Sequence, residues 1–236
     1  MKIVKALASV SAAALLVAPA FAQSSNVRII HGINGGDLGA PESLNVDVYV
    51  NGGLLLDNFN FRDVAGPLSL PAGDYEVKVV LDLDMINGSA DDTVVIGPAI
   101  IPIAAGTDNT IIAHLTEGGA PTASKFENDL MMMPGKSQLI LHHTAAAPQV
   151  DIFARKTGGR TPFAMLAGGA PNGAQAMFKV SPSNWQLFVS PAGTMNPVLG
   201  PASFKFDNRT SYLVYVVGQI TNTRNSLEPI IVRIGS

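Results

Sequence analysis

His31 with Asp47, and His142 with Asp151, are the residues of this sequence best suited to chemistry. A histidine beside a carboxylate can act as a general base or bind a metal through its imidazole. Each His closes a short apolar run, Arg28-Ile29-Ile30-His31 or Leu139-Ile140-Leu141-His142. Each Asp sits in a run that follows, Val46-Asp47-Val48-Tyr49-Val50 or Val150-Asp151-Ile152-Phe153-Ala154. The competing reading is architectural: each His caps a strand end, and each Asp bonds loop backbone to hold the His-to-strand connection. A pair that occurs twice favours architecture, because one active site also needs a nucleophile or an open metal position.

Other polar sets are weaker. His142-His143 with Met131-Met132-Met133 has the imidazole and thioether ligands of an exported copper site. Adjacent strand residues point to opposite faces, so the two imidazoles do not chelate together, and the methionines read as adaptable packing in a seam between two domains. Asp82, Asp84, Asn87, Asp91 and Asp92 have the oxygen density of a calcium loop but lack the ordered Asp-x-Asp-x-Asp-Gly run and the distal Glu. A solvated hairpin loop fits them better. There is no Gly-x-Ser-x-Gly elbow to mark a serine nucleophile. Aromatics are only 6%, too sparse for a sugar-stacking row, and the sole Trp, Trp185, falls at an inward, alternating position.

The elements that must position these groups follow a leader. Lys2 and Lys5, the apolar stretch from Ala6 to Ala18, and Pro19-Ala20-Phe21-Ala22 form a secretory signal, with cleavage between Ala22 and Gln23. That apolar stretch is shorter than the ~20 residues of a membrane span, and no other stretch approaches one. The chain has no cysteine, which excludes disulfides, thiol catalysis and cysteine-ligated metals together. Its formal charge of -3 becomes -5 once Lys2 and Lys5 leave, which argues against nucleic acid as a partner. A 47% hydrophobic share with 14% charged residues suits sandwiched sheets, with a surplus that reads as an apolar face meeting a partner.

Along the mature chain, short alternating runs are separated by turn residues, as in an antiparallel sandwich. Asn51-Gly52 marks a hairpin, and Pro71-Ala72-Gly73-Asp74 marks a turn before Tyr75-Glu76-Val77-Lys78-Val79. The run 93–103 is interrupted by Gly97-Pro98, so it is bulged or at an edge. The second half repeats the first. Ile96-Gly97-Pro98-Ala99 lies over Leu199-Gly200-Pro201-Ala202, Tyr75 over Trp185, and Thr107 over Thr210. His31 to Asp47 spans 16 residues and His142 to Asp151 spans 9, so the first half carries a seven-residue insertion in 32–44. That insertion is the preferred contact loop, since functional variation in sandwiches concentrates at their ends.

At these residues the chain resembles the bacterial family catalogued as domain of unknown function 4397. The strand ending in His, the strand Val46-Asp47-Val48-Tyr49-Val50-Asn51-Gly52, and the turn Leu70-Pro71-Ala72-Gly73-Asp74-Tyr75-Glu76-Val77 carry the resemblance. In the second half Ser181-Pro182-Ser183-Asn184 replaces the Pro-Ala-Gly turn. The resemblance implies immunoglobulin-like sandwiches in exported or surface proteins, often in tandem, and supplies no catalytic set.

The expectation is therefore an all-β chain: a leader over 1–22, one immunoglobulin-like antiparallel sandwich over 23–130, a linker over 131–136, and a second sandwich over 137–236. The expected role is non-enzymatic, structural or interaction-based, at the surface or envelope of an exporting cell. The product would be periplasmic or extracellular, with protein or envelope and matrix components as partners, no cofactor and no integral membrane segment. A small-ligand or carbohydrate-binding module is the alternative, with a metal-assisted hydrolase behind it.

Overall fold

The computed structural model describes residues 23–42, 45–81, 93–158, 161–221 and 226–235; the leader and the acidic loop 82–92 lie outside the described residues. Alternating and continuous apolar runs become strands. In the first half these are β1 (Ser25–His31), β2 (Val46–Val50), β3 (Gly53–Phe59), β4 (Val64–Leu70), β5 (Gly73–Leu81), β6 (Thr93–Ile103), β7 (Asp108–Leu115) and β8 (Pro121–Glu127). The second half holds β9 (Ser137–His143), β10 (Val150–Lys156), β11 (Ala164–Ala170), β12 (Gln175–Val180), β13 (Ser183–Pro191), β14 (Leu199–Phe206), β15 (Thr210–Val217) and β16 (Glu228–Gly235). One turn of 3-10 helix, Gly35–Leu38, sits in the inserted loop.

Each half is a β-sandwich. Sheet β3-β2-β5-β6 faces sheet β4-β1-β7-β8, and the second half repeats this order as β11-β10-β13-β14 and β12-β9-β15-β16. Among the described strands, pairing is antiparallel except at one place in each half, where β1 runs parallel to β7 and β9 to β15. The sheets are therefore mixed, where the sequence pattern implies purely antiparallel ones. Strands so far apart in sequence have no hairpin to force reversal. The run at Gly97-Pro98 is both an edge and a bulge. β6 ends its sheet, its register with β5 shifts between Val77 and Val79, and Gly97 takes φ +87°. A Cβ there would sit 2.4 Å from the Val77 carbonyl, and at Gly200 (φ +84°) 2.6 Å from that of Leu187, so both copies require glycine.

Three cores result. Val27, Val46, Val48, Val77 and Ile111 fill the first sandwich, and Leu139, Leu141, Ile152, Val189 and Val214 fill the second. A third core lies between the halves. Ile30, Ile112 and Phe126 on the outer face of the β1 sheet meet Ile140, Leu213 and Tyr215 on the outer face of the β9 sheet. Each such side chain, fully buried, contributes about 1.5–3 kcal/mol. Gly32 leaves no room for a side chain here: a Cβ would lie 2.8 Å from the Ala113 carbonyl of its own half and 3.0 Å from the Val217 side chain of the other.

The methionine segment does not fill this seam. Met132 and Met133 are 55% and 37% exposed, and the fixed contact is the Met131 N–H donating to Gln138 Oε1 at 2.9 Å. Gln138 Nε2 also donates to the Asp129 carbonyl at 2.6 Å, tying the connecting segment to β9. Branched aliphatic and aromatic side chains from both inner sheets already close the seam, leaving no gap for flexible thioethers. Because the seam joins the halves, Ile140→Ala is expected to cost about 2–5 kcal/mol and to lower the stability of both halves in one urea transition. Two separate transitions, with the first half unmoved, would contradict this.

Candidate functional site

Strand direction sorts the connections. β1, β3, β5 and β7 run one way and the strands between them return, and the same holds from β9 to β16. The connections 32–45 and 116–120 of the first sandwich therefore leave from one end, with 144–149, 192–198 and 218–227 of the second. Cross-half contacts align these ends: Asn172 Nδ2 donates to the Leu115 carbonyl at 2.9 Å, and Arg62 pairs with Glu228 at 3.1 Å. The opposite end carries mostly tight connections, such as 51–52, 71–72 and 181–182. In the inserted loop, Asn34 Oδ1 accepts from the Gly36 N–H at 2.8 Å, Gly39 closes the helical turn at φ +73°, and Leu38 is 36% exposed.

The histidines and aspartates seen in the sequence do not converge. Asp47 and Asp151 point away from the sandwich cores, because Val46, Val48, Val150 and Ile152 occupy the inward faces of the same strands. Both are buried all the same. Asp47 Oδ1 accepts from the Asn58 N–H at 3.0 Å, while Asp151 accepts from Gly169 N–H and Gly193 N–H, each at 2.8 Å. Through these bonds they hold backbone of neighbouring strand and loop segments. His31 faces the opposite way, into the first sandwich against Phe59 and Phe61, with ring centroids at 6.2 and 6.4 Å.

Strand register also changes the pairing read from sequence. Ser25 Oγ donates to the Ala104 carbonyl and Ser137 Oγ to that of Asp207, both at 2.6 Å, so Ser25 and Ser137 are equivalent. His31, opposite Ala113, then matches His143, opposite Val216, and His142 matches Ile30. A slip of one residue reverses faces. His142 consequently looks into the seam, stacked on Tyr215 at 4.1 Å and edge-on to Phe126 at 4.6 Å, while His143 Nε2 donates to the Pro148 carbonyl at 3.0 Å.

The copper reading fails on geometry. The methionines precede the first residue of β9 and the histidines end it, at opposite ends of a strand rising ~3.3 Å per residue. Among the described residues, no three His, Cys, Asp or Glu side chains cluster as metal ligands. The calcium candidate, 82–92, lies outside the described residues. Trp185 packs on the second core, and its Nε1 donates to the Ser181 carbonyl at 3.1 Å; the matching Tyr75 hydroxyl donates to that of Pro71 at 2.8 Å.

Sequence reasoning missed the ion pair of Arg28 and Asp108, nearly buried at the seam, whose carboxylate also accepts from Asn128 Nδ2 at 2.9 Å. Nothing local in the sequence joins residues on β1, β7 and the segment after β8.

The family model for "domain of unknown function (DUF4397)" matches residues 25–153, which is the first sandwich with β9 and the first part of β10. The chain belongs to the DUF4397 family. No curated protein matches it. Among solved structures, this DUF4397 chain is similar to the Bacillus anthracis TIE protein at 13% identity and a TM-score of 0.25, over 84% of this chain and 33% of that one. It thus spans a third of that protein's length. It is also similar, at 8% identity and a TM-score of 0.25, to a family 26 carbohydrate-binding module from Eubacterium rectale Amy13K in complex with maltoheptaose, over 89% of this chain and 98% of that one. Among the described residues, no helix is long and apolar enough to cross a membrane.

Two outcomes follow from these polar placements. Asp151→Ala leaves two backbone N–H groups without their acceptor and is expected to cost about 2–4 kcal/mol in urea unfolding; a cost below 1 kcal/mol would contradict the buttressing role. The second concerns pH. Burial pulls His31 and His142 from 6.5 down to about 4. It is opposed at His31 by the Asn60 backbone and the Asp63 charge, and at His142 by the Val214 carbonyl and the Gln175 side chain. The folded value lies below the unfolded one, so the unfolded chain takes up the proton first. Stability is held above pH 6.5 and lost as the pH falls to about 4. His142→Leu is expected to lose roughly 3 kcal/mol less than the parent between pH 7 and pH 4, measured by urea unfolding. Parallel losses in parent and variant would contradict this.

Proposed function

We propose that this DUF4397 chain is a non-enzymatic exported module that binds protein or matrix components of the cell surface or envelope through the loops at one end of its two sandwiches. The observation that carries this reading is the convergence of most of the longer connections within the two halves on that end, with the inserted loop 32–45 among them. Loops set on a rigid sheet scaffold are where sandwich proteins vary their contacts without disturbing the core. The acid and base candidates support a non-enzymatic role because they are committed elsewhere. Asp47 and Asp151 hold backbone, and the histidines are packed among apolar rings or bonded to carbonyls. Export is supported by the leader, with processing between Ala22 and Gln23.

The test uses the processed chain, recovered outside the cytoplasm with Gln23 as its first residue. Labelled protein is added to intact cells and to isolated envelopes of the producing bacterium, beside a variant in which residues 36–41 are removed. Retained adsorption of the parent, a drop of at least tenfold for the shortened variant, and a Tm within a few degrees of the parent are expected. Equal adsorption of both chains would overturn the assignment to this end.

A further inference from the structure

The two sandwiches are closed differently at one edge. Lys125 pairs across β7–β8 with Ile111, a core residue, so it points between the sheets of the first sandwich. Its Nζ crosses to the opposite edge strand and donates to the Pro102 carbonyl at 2.7 Å. An inward charge is a usual device for blunting a sheet edge. The position in the second sandwich is Ile231, which pairs with Val214 as Lys125 pairs with Ile111. Among the described residues no ammonium spans that opening, and Ile231 is 42% exposed.

Behind Ile231, between β14 and β16, lies a cavity of 160 Å³ walled by Leu139, Ile152, Leu187, Phe204 and Val214. Its side chains offer no hydrogen-bonding group, whereas an ordered water needs two to four polar partners, so the lining favours an apolar guest over bound water. An apolar cavity of about 150 Å³ is the size that takes up benzene. In the first sandwich the corresponding opening between β6 and β8 measures 420 Å³ and has Lys125 on its wall. An apolar guest there would have to sit against a charged group at a cost in solvation.

We propose that the second sandwich binds one small apolar molecule, a single aromatic ring or an alkyl group of that size, in the cavity entered past Ile231. The first sandwich has no such site, because Lys125 occupies the equivalent entrance. This site is independent of the loop end and could exist whether or not those loops bind a surface.

Titrating the full processed chain with toluene, followed by methyl NMR and thermal unfolding, tests the assignment. The parent is expected to gain about 2–4 °C in Tm, with shifts at Leu139, Leu187 and Ile231 and none at Ile29 or Ile111. Ile231→Lys, which installs the first sandwich's closure, is expected to abolish both responses. Ala202→Trp, which fills the mouth with apolar bulk, should do the same and carries the test if the lysine variant does not fold. No response in the parent, an equal response in the folded variants, or shifts centred on the first sandwich would each overturn the site.

Discussion

Burial of both faces of β1, β7, β9 and β15, the central strands of the two inner sheets, is the constraint on which the molecule depends. In an ordinary sandwich each strand turns one face to a core and one to water, and its sequence alternates accordingly. Here the inner strands face a sandwich core on one side and the seam on the other. β15 is buried at every position and β7 at all but its first. Their sequences, Ser211-Tyr212-Leu213-Val214-Tyr215-Val216-Val217 and Thr110-Ile111-Ile112-Ala113-His114-Leu115, are correspondingly continuous rather than alternating. β5, in an outer sheet, keeps the alternation in Tyr75-Glu76-Val77-Lys78. The 47% hydrophobic share thus has an internal outlet: much of the apolar face that composition assigns to a partner is met by the other half of the same chain.

Such a seam is selective about the polar groups it encloses. A charge taken out of water is tolerated only when paired and hydrogen-bonded. Arg28 and Asp108 satisfy this together, with Asn128 adding a second donor to the carboxylate and bonding Thr110 Oγ1 at 3.0 Å. Gln138 does so by bonding Ser211, Met131 and Asp129 at once. His142 remains neutral, its Nδ1–H donating to the Val214 carbonyl at 3.2 Å. Burial also pushes the Tyr215 phenol upward, so the stacked pair carries no charge at neutral pH. The same packing that joins the sandwiches thereby disables the imidazole as a base.

Most strands were legible because period two and turn residues are local signals. Thr93–Ile103 spans the range its sequence implies, and Pro71-Ala72-Gly73 turns the chain as read. What was not legible is relational. Adjacent His142 and His143 both satisfy a strand-end histidine rule, and only the hydrogen bonds of Ser25 and Ser137 decide which one matches His31. The wrong match made the insertion one residue too short and put His142 on the wrong face. The architectural role of the aspartates was legible from their repetition, but their acceptor role belongs to Asn58, Gly169 and Gly193 on neighbouring segments that no local motif names. The seam was invisible for a further reason: a continuous apolar strand reads the same whether its second face meets a helix, a membrane or another sheet.

A repeated strand order with a shared scaffold and different faces follows from this geometry. Ser25 and Ser137, Tyr75 and Trp185, and Gly97 and Gly200 do the same work in both halves, because each bonds backbone or accommodates a bulge that the strand order requires. The seam positions differ. The cross-strand pair Ile30 and Ile112 corresponds to His142 and Tyr215, so an aliphatic surface meets an aromatic one instead of its own copy. Two identical faces would pair as readily with a neighbouring chain as with each other, an isologous contact open to any copy. Unlike faces joined by the short segment 128–136 favour the contact within the chain, since the tether holds the complementary face at high effective concentration. The difference between the two seam faces is therefore as much a part of the fold's specification as the turns that both halves share.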